Sequence, residues 1–330
     1  MRRREFTIGL LLSAATQSLQ AQELAKQHRI AVIFSGPVDE IRDTGSRYWP
    51  AFFEELRRRG DVEGENLTIE RYSGEGRPED LSKLAREVVD RNPDLIIATT
   101  NPIALVVRAA SHTIPIVWIG SEPVRFGLAT SLAHPGGNIT GVTADAGYEI
   151  FGKELQILKE SVPAASKVAY LTITTVYGER FRQLLQEMSQ RLGLSLTAMV
   201  VEESTPSEYQ RVFAEIAHEP PDAIIVSSIG NLLPHRRLIV TLIEKNHLPA
   251  MYGSRDYVEV GGLMSYASDL GELGRRMADD VHEILNGVKP GDIPIYQATR
   301  IELVINLKTA KALGLTIPPT LLGTADEVIE

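Results

Sequence analysis

Cysteine is absent from all 330 residues, which excludes disulfide bonds, thiol catalysis and any zinc or iron–sulfur site built on thiolates. The seven histidines, at 28, 112, 134, 218, 235, 247 and 282, include no pair three or four residues apart. The helical spacing of familiar metal sites is therefore missing, and each histidine reads as a surface or capping residue. The first apolar run ends in Ile33-Phe-Ser-Gly-Pro37, one glycine and then a proline, so the Gly-x-Gly-x-x-Gly turn of a dinucleotide-binding domain is lacking. No Gly-x-Ser-x-Gly elbow occurs, and Ser254 in Tyr252-Gly-Ser-Arg255 lacks the second glycine. Gly147 to Lys153 follows most of a phosphate-binding loop, but Glu154 stands where a Ser or Thr would hold magnesium, and the stretch reads as the start of a helix. No cofactor, no metal and no catalytic residue is expected.

A surplus of positive charge is also missing. The formal charge is −9, which argues against a nucleic-acid partner. After the N-terminus no apolar stretch approaches the length of a membrane span.

At the N-terminus, Arg2, Arg3 and Arg4 precede an apolar stretch over 8–15, too short to cross a bilayer, and Ser18-Leu-Gln-Ala21 offers a cleavage site. Residues 1–21 read as an export signal. Arg3-Arg4-Glu5-Phe6 also matches a twin-arginine signal, so the general secretory and twin-arginine routes both stay open. No cysteine follows the apolar zone to carry a lipid, so the mature chain is expected to start at Gln22 and to be soluble. Cleavage would remove three arginines and one glutamate, moving the charge from −9 to −11.

The length suggests about two domains, and a chain 43% hydrophobic can bury ample core. Short β-branched runs alternate with amphipathic stretches. Strands are expected at 30–34, 67–72, 95–99 and 114–119, with helices at 49–59, 80–91 and 102–110. The runs are continuously apolar, as when helices cover both faces of a parallel sheet. After the turn cluster His134-Pro-Gly-Gly-Asn138, a strand at 139–143 and a helix at 148–161 follow. A second series has the same rhythm, with strands at 168–173, 196–201 and 223–227 and helices at 179–192, 206–218 and 232–247. The tail supplies a strand at 263–266, a helix at 270–286, and a final strand and helix through 313, too little for a third domain. Two similar α/β units stand in tandem, with a first crossing expected at 144–147.

Several segments carry a resemblance. The tail Glu302-Leu-Val-Ile-Asn-Leu-Lys-Thr-Ala-Lys-Ala-Leu-Gly-Leu-Thr-Ile-Pro-Pro-Thr-Leu321, with Ala325-Asp-Glu-Val-Ile329, is similar to the ABC-transporter substrate-binding family that includes the tryptophan-binding-protein-like group. So are Val258-Glu-Val-Gly-Gly-Leu-Met-Ser-Tyr266, Pro135-Gly-Gly-Asn-Ile-Thr-Gly141, Val62-Glu-Gly-Glu-Asn66, Pro115-Ile-Val117 and Glu122-Pro-Val124 followed by Gly127-Leu128. The resemblance implies a type I periplasmic-binding-protein fold, two doubly wound Rossmann-like lobes joined by three crossings at a hinge and closing on a ligand. The first lobe is expected to take 28–146 and about 263–297, the second 147–262 and about 298–330. Two segments depart from the family, which often has Asp where Glu122 stands and an Asn-Pro-rich turn in place of Thr172 to Tyr177. Ligand identity is not carried over.

In open α/β sheets ligands lie beyond the carboxyl ends of the strands, where helix N-termini present unpaired N–H groups. The loops there hold Ser35, Thr99-Thr100-Asn101 and Ser121-Glu122 in the first lobe, and Thr174-Thr175 with Tyr177, and Ser227-Ser228 with Asn231, in the second. Hydroxyl and amide groups dominate, and they donate and accept without carrying charge into a closing cleft. Asn101 before Pro102 also reads as a helix N-cap with proline at the first helical position. Glu122 is a candidate for a ligand ammonium and Arg255 for a carboxylate. Tyr177, Tyr252, Tyr257 and Tyr266 are candidate walls for a ring or aliphatic body. The basic clusters at 57–59 and 235–237 read as solvated helix faces.

These features define an expectation: an exported, periplasmic, monomeric solute-binding component of an ABC importer. It would take an amino acid or related small carboxylate and hand it to an inner-membrane permease. A sugar- or nucleoside-type ligand, a receptor for a chemosensory partner, and an enzyme using the cleft remain open alternatives.

Overall fold

The computed structural model describes residues 27–34, 41, 47–74, 78–143, 147, 149–174, 178–216 and 219–330; the expected signal segment and the candidates Ser35, Thr175 and Tyr177 lie outside them. In the first lobe, β1 (His28–Phe34), β2 (Leu67–Ser73), β3 (Leu95–Ala98), β4 (Ile116–Gly120) and β5 (Ile139–Thr143) alternate with α1 (Tyr48–Arg59), α2 (Pro78–Asp90) and α3 (Asn101–Ala110). A late two-residue strand, β11 (Tyr296–Gln297), completes a sheet of order β11-β5-β4-β3-β1-β2. Every neighbouring pair is parallel.

Successive residues of β1 explain the continuous apolar run. Ile30 and Val32 pack with Trp49, Phe52 and Leu56 of α1, while Ala31 and Ile33 pack with Ala85 and Val88 of α2 and with Ile103 and Val107 of α3. Both faces of the sheet are thus dry, which is what a parallel sheet requires. Helix α9 (Leu270–Leu285) lies beside α1 and adds Leu273, Met277 and Val281 to the same core.

The second lobe has β6 (Lys167–Ile173), β7 (Ser195–Val201), β8 (Ala223–Val226), β9 (Ala250–Tyr252), β10 (Met264–Ser268), β12 (Ile301–Asn306) and β13 (Glu327–Ile329) in the order β13-β12-β10-β9-β8-β6-β7. The β10–β12 pair is antiparallel and the others are parallel. Helices α4 (Glu149–Ser161) and α5 (Glu179–Arg191) cover one face. The other face carries α6 (Pro206–Ile216), α7 (Arg236–Lys245) and α8 (Arg255–Glu259). Helices α10 (Leu307–Ala312) and α11 (Pro319–Leu322) close the tail over the α4 and α5 side.

The structure corrects the expected lobe boundary at 263. β10 hydrogen-bonds β9 and β12, so it belongs to the second lobe and the chain returns to the first only after Ser268. The apolar run alone cannot say which sheet a strand joins. The helix expected over 232–247 is also divided. Pro234 has no N–H to continue an α-helical ladder, so Gly230–His235 forms a 3-10 turn and α7 begins at Arg236. Arg236 is buried, with Nη1 on the Leu233 carbonyl at 3.2 Å, so the basic cluster there is not wholly solvated. Among the described residues no helix is long and apolar enough to cross a membrane.

Candidate ligand-binding site

The carboxyl end of the first sheet is built around Asn101. Its Nδ2 donates to the Ser121 carbonyl at 2.9 Å, and its Oδ1 accepts from Trp118 Nε1 at 3.1 Å and from the Ser121 N–H at 3.4 Å. Gly120 leaves the room, because a Cβ there would sit 2.2 Å from Asn101 Oδ1 and 2.6 Å from the Trp118 ring. The expected cap at Asn101 is therefore corrected. Thr100, with extended φ and ψ, is the N-cap and accepts from the Ile103 N–H at 3.5 Å, while Asn101 and Pro102 are the first two helical residues. Thr99 is tied to β1, its Oγ1 donating to the Ile33 carbonyl at 3.1 Å. At the next two strand ends, Thr143 Oγ1 donates to the Gly120 carbonyl at 2.9 Å and Gln297 pairs with Thr143.

Ser121 is exposed at this rim, held through both backbone groups by Asn101. Glu122 follows with a left-handed φ of 49°, and its Oε2 lies 2.6 Å from Arg125 Nη1. The carboxylate expected to meet a ligand ammonium is thus paired with a neighbouring arginine in this structure.

In the second sheet the row Leu171–Val226–Tyr252–Ser265 is fixed by strand pairing. One residue further toward the carboxyl ends stand Thr172, Ser227, Gly253 and Tyr266. Ser227 is 3% exposed and Thr172 fully buried, and neither hydroxyl has a hydrogen-bond partner among the described residues. Gly253 is required because a Cβ would meet the Ser228 backbone N at 2.4 Å. Tyr266 is half-buried at the edge of the α4-side core. Thr174 is exposed at the end of β6. Asn231 is half-buried in the 3-10 turn, its carbonyl accepting from Ser204 Oγ at 2.7 Å.

One expectation about this lobe is corrected. Tyr252 and Tyr257 are buried and stacked on each other, centroids 5.0 Å apart, so they are core and not ligand walls. Arg255 spends its fork on carboxylates of its own lobe, with Nε 3.1 Å from Glu259 and Nη2 2.6 Å from Glu327. The reading from sequence did not single out Thr143, Gln297 or Asp256, and named Thr172 only as the start of the segment that departs from the family. Thr143 and Thr172 lie inside apolar runs that read as pure core, Gln297 sits on a strand of two residues, and Asp256 sits in a five-residue helix with no legible period.

Behind the second rim, α4 buries Glu154, and burial alone pushes its carboxyl up to about 8. The folded chain keeps this proton where the unfolded chain, near 4.5, releases it. Stability should be untouched below that unfolded value, fall by roughly 1.4 kcal/mol per pH unit as pH rises toward the folded value, and level off above it. Glu154→Gln is expected to raise the unfolding midpoint at pH ~8.5 but not at pH ~4.5. Thermal unfolding at the two pH values checks this; an equal effect at both would show that the carboxyl's proton is not the cause. Asp280 in α9, also pushed to about 8 by burial and then by Glu283 and Asp279, leaves part of the slope in the variant.

Two doubly wound sheets, joined by three crossings and each ending in a rim of hydroxyl and amide groups, define a two-lobed α/β protein of the periplasmic-binding type. A family model described as ABC transporter substrate binding protein matches residues 46–329, and the chain belongs to that family. A tyrosine-binding protein of Clostridioides difficile (strain R20291) is 26% identical over 272 residues, 80% of this chain and 75% of that one. A conserved domain protein from Vibrio cholerae O1 biovar eltor has a TM-score of 0.80 at 25% identity, over 92% of this chain and 100% of that one. An ABC domain from Streptococcus pneumoniae in complex with L-Trp has a TM-score of 0.78 at 22% identity, with the same coverage of both chains.

Proposed function

We propose that this chain is the extracytoplasmic solute-binding component of an ABC importer and that it captures an amino acid between its lobes without transforming it. The observation that carries the reading is the pair of buried hydroxyls on adjacent strands, Thr172 and Ser227, at the carboxyl edge of the second sheet, with no partner among the described residues. Buried polar groups are almost always satisfied, so such a pair marks a place where a polar guest or ordered water completes the bonding. At the carboxyl end of the other sheet, Asn101 holds the Ser121 rim of the first lobe in one position. Contacts from both lobes are complete only when they meet, so ligand shifts an open–closed equilibrium.

The choice of an amino acid rests on the family and on what the names of two similar proteins state, tyrosine for one and L-Trp for the other. The half-buried Tyr266, level with Ser227 in the second sheet, suits the body of an aromatic side chain. The closed form would dock on a membrane permease as a monomer.

Thermal unfolding of residues 22–330 against amino acids, aromatic acids, sugars and nucleosides tests the proposal. Amino acids, the aromatic ones first, are expected to raise the midpoint, with about 2.7 kcal/mol of added stability at a hundredfold excess over Kd. Shifts by sugars alone, or consumption of the added compound, would overturn it.

A further inference from the structure

From Arg47 on, helix α1 supplies no side-chain acceptor in its own cap or first turn. Its cap residue is Arg47, whose side chain has no acceptor, and its first turn, Tyr48-Trp49-Pro50, has no acid. The C-terminus, by contrast, is matched by Arg57, Arg58 and Arg59. The acceptor comes from the other lobe. The Arg47 N–H donates to Asp256 Oδ1 at 3.1 Å, across 209 residues of sequence.

Asp256 is built into the rim of the second lobe. It lies in α8, just beyond β9, and is 2% exposed. Its Oδ2 accepts from Ser254 Oγ at 2.9 Å, and Ser254 Oγ in turn accepts from the Asp256 N–H at 3.3 Å. Around this contact runs an ion-pair chain. Arg47 Nε is 3.4 Å from Glu259, which Arg255 also holds at 3.1 Å, and Arg255 reaches Glu327 at 2.6 Å. The Arg47 and Glu259 side chains are 46% and 37% exposed, so that pair adds little by itself. The buried carboxylate on the helix start is the stronger element, because a charged acceptor at an N-terminus gains from both the hydrogen bond and the helix dipole.

We propose that Asp256 is an interlobe latch: it accepts from the Arg47 N–H at the start of α1 across the two lobes, and this bond stabilises the arrangement in which the lobes meet here before any solute arrives. Separating the lobes breaks the bond between the Arg47 N–H and Asp256 Oδ1. The latch sets the fraction of ligand-free chains that are binding-competent, and apparent affinity scales with that fraction. Asp256 is thus a positioning residue that acts through the lobes without touching solute. Its effect on affinity rests on the binding function proposed above; its effect on lobe separation does not.

The chain has no cysteine, so Lys83→Cys in α2 and Glu215→Cys in α6, at side chains 74% and 64% exposed, accept one spin label in each lobe. Interlabel distances are measured without ligand. Asp256→Ala is expected to lengthen and broaden the distribution by several ångström and to weaken tyrosine or tryptophan binding by about tenfold. Arg47→Pro must act in the same direction from the other lobe, since it removes the N–H at a φ of −60°, which suits proline. Arg47→Ala keeps the N–H and should stay close to the parent. Unchanged distances in both Asp256→Ala and Arg47→Pro would overturn the latch, as would an Arg47→Ala change equal to that of Arg47→Pro. If no amino acid binds the parent while the distances shift as expected, the latch stands and the proposed ligand class falls.

Discussion

Gly141→Ala is expected to destabilise the first lobe by more than about 4 kcal/mol, the range reached only when a backbone has no room to adjust. Gly141 lies in β5 opposite Trp118 of β4, with a φ of +143°. A Cβ there would fall 1.9 Å from the Trp118 carbonyl oxygen and 2.5 Å from its backbone N. Both neighbours are main-chain atoms of a central strand, so neither can rotate away as a side-chain tip would. The strain of the left-handed φ adds to the clash. β5 also carries β11 and leads directly into the first crossing, so the damage should reach the hinge. The variant is expected to lose its cooperative thermal transition at physiological temperature, or to show only that of the second lobe. A midpoint within a few degrees of the parent would disprove the argument.

The second large effect is expected from Asn101→Ala. Trp118 is fully buried, and the substitution leaves its Nε1 donor without an acceptor while freeing the Ser121 N–H and carbonyl. An unsatisfied buried donor costs about 1–3 kcal/mol, and the Ser121–Glu122 rim loses its anchor as well. Ligand affinity should fall by at least about tenfold, because a rim displaced by an ångström no longer meets its partners on the other lobe. Asn101→Asp separates the roles: it keeps the acceptor for Trp118 but sets a carboxylate against the Ser121 carbonyl. It should preserve more stability than alanine while binding no better. Calorimetric titration with tyrosine and tryptophan beside thermal unfolding decides it. If alanine weakens stability but leaves affinity alone, the rim does not depend on this anchor.

Much of the fold was legible from periodicity. The run Ile30-Ala-Val-Ile33 reads as a strand buried on both faces because alternate residues serve two cores, and that needs no knowledge of the rest of the chain. The strand-end loops could likewise be found, since a parallel sheet places its carboxyl ends together. What failed was the assignment of partners. Asn101 looked like a cap, but Thr100 takes that place and Trp118, 17 residues on, donates to the Asn101 side chain. Arg255 looked available to a ligand carboxylate, but β13, 72 residues on, brings Glu327 to it. Glu122 looked available to an ammonium, and its left-handed backbone places Arg125 against it.

By itself the sequence determined the α/β rhythm, the two units in tandem, the absence of thiol and metal chemistry built on cysteine, and, through its motifs, the family. Those properties depend on residue type and on spacing within a few turns, where chain geometry is short-ranged and regular. Only the tertiary structure decided which sheet takes β10, which buried hydroxyls lack a partner among the described residues, and that the carboxylate of Asp256 accepts from the start of a helix 209 residues earlier. Such contacts join residues far apart along the chain, and a side chain's chemistry is settled by whichever partner the fold brings within about 3 Å.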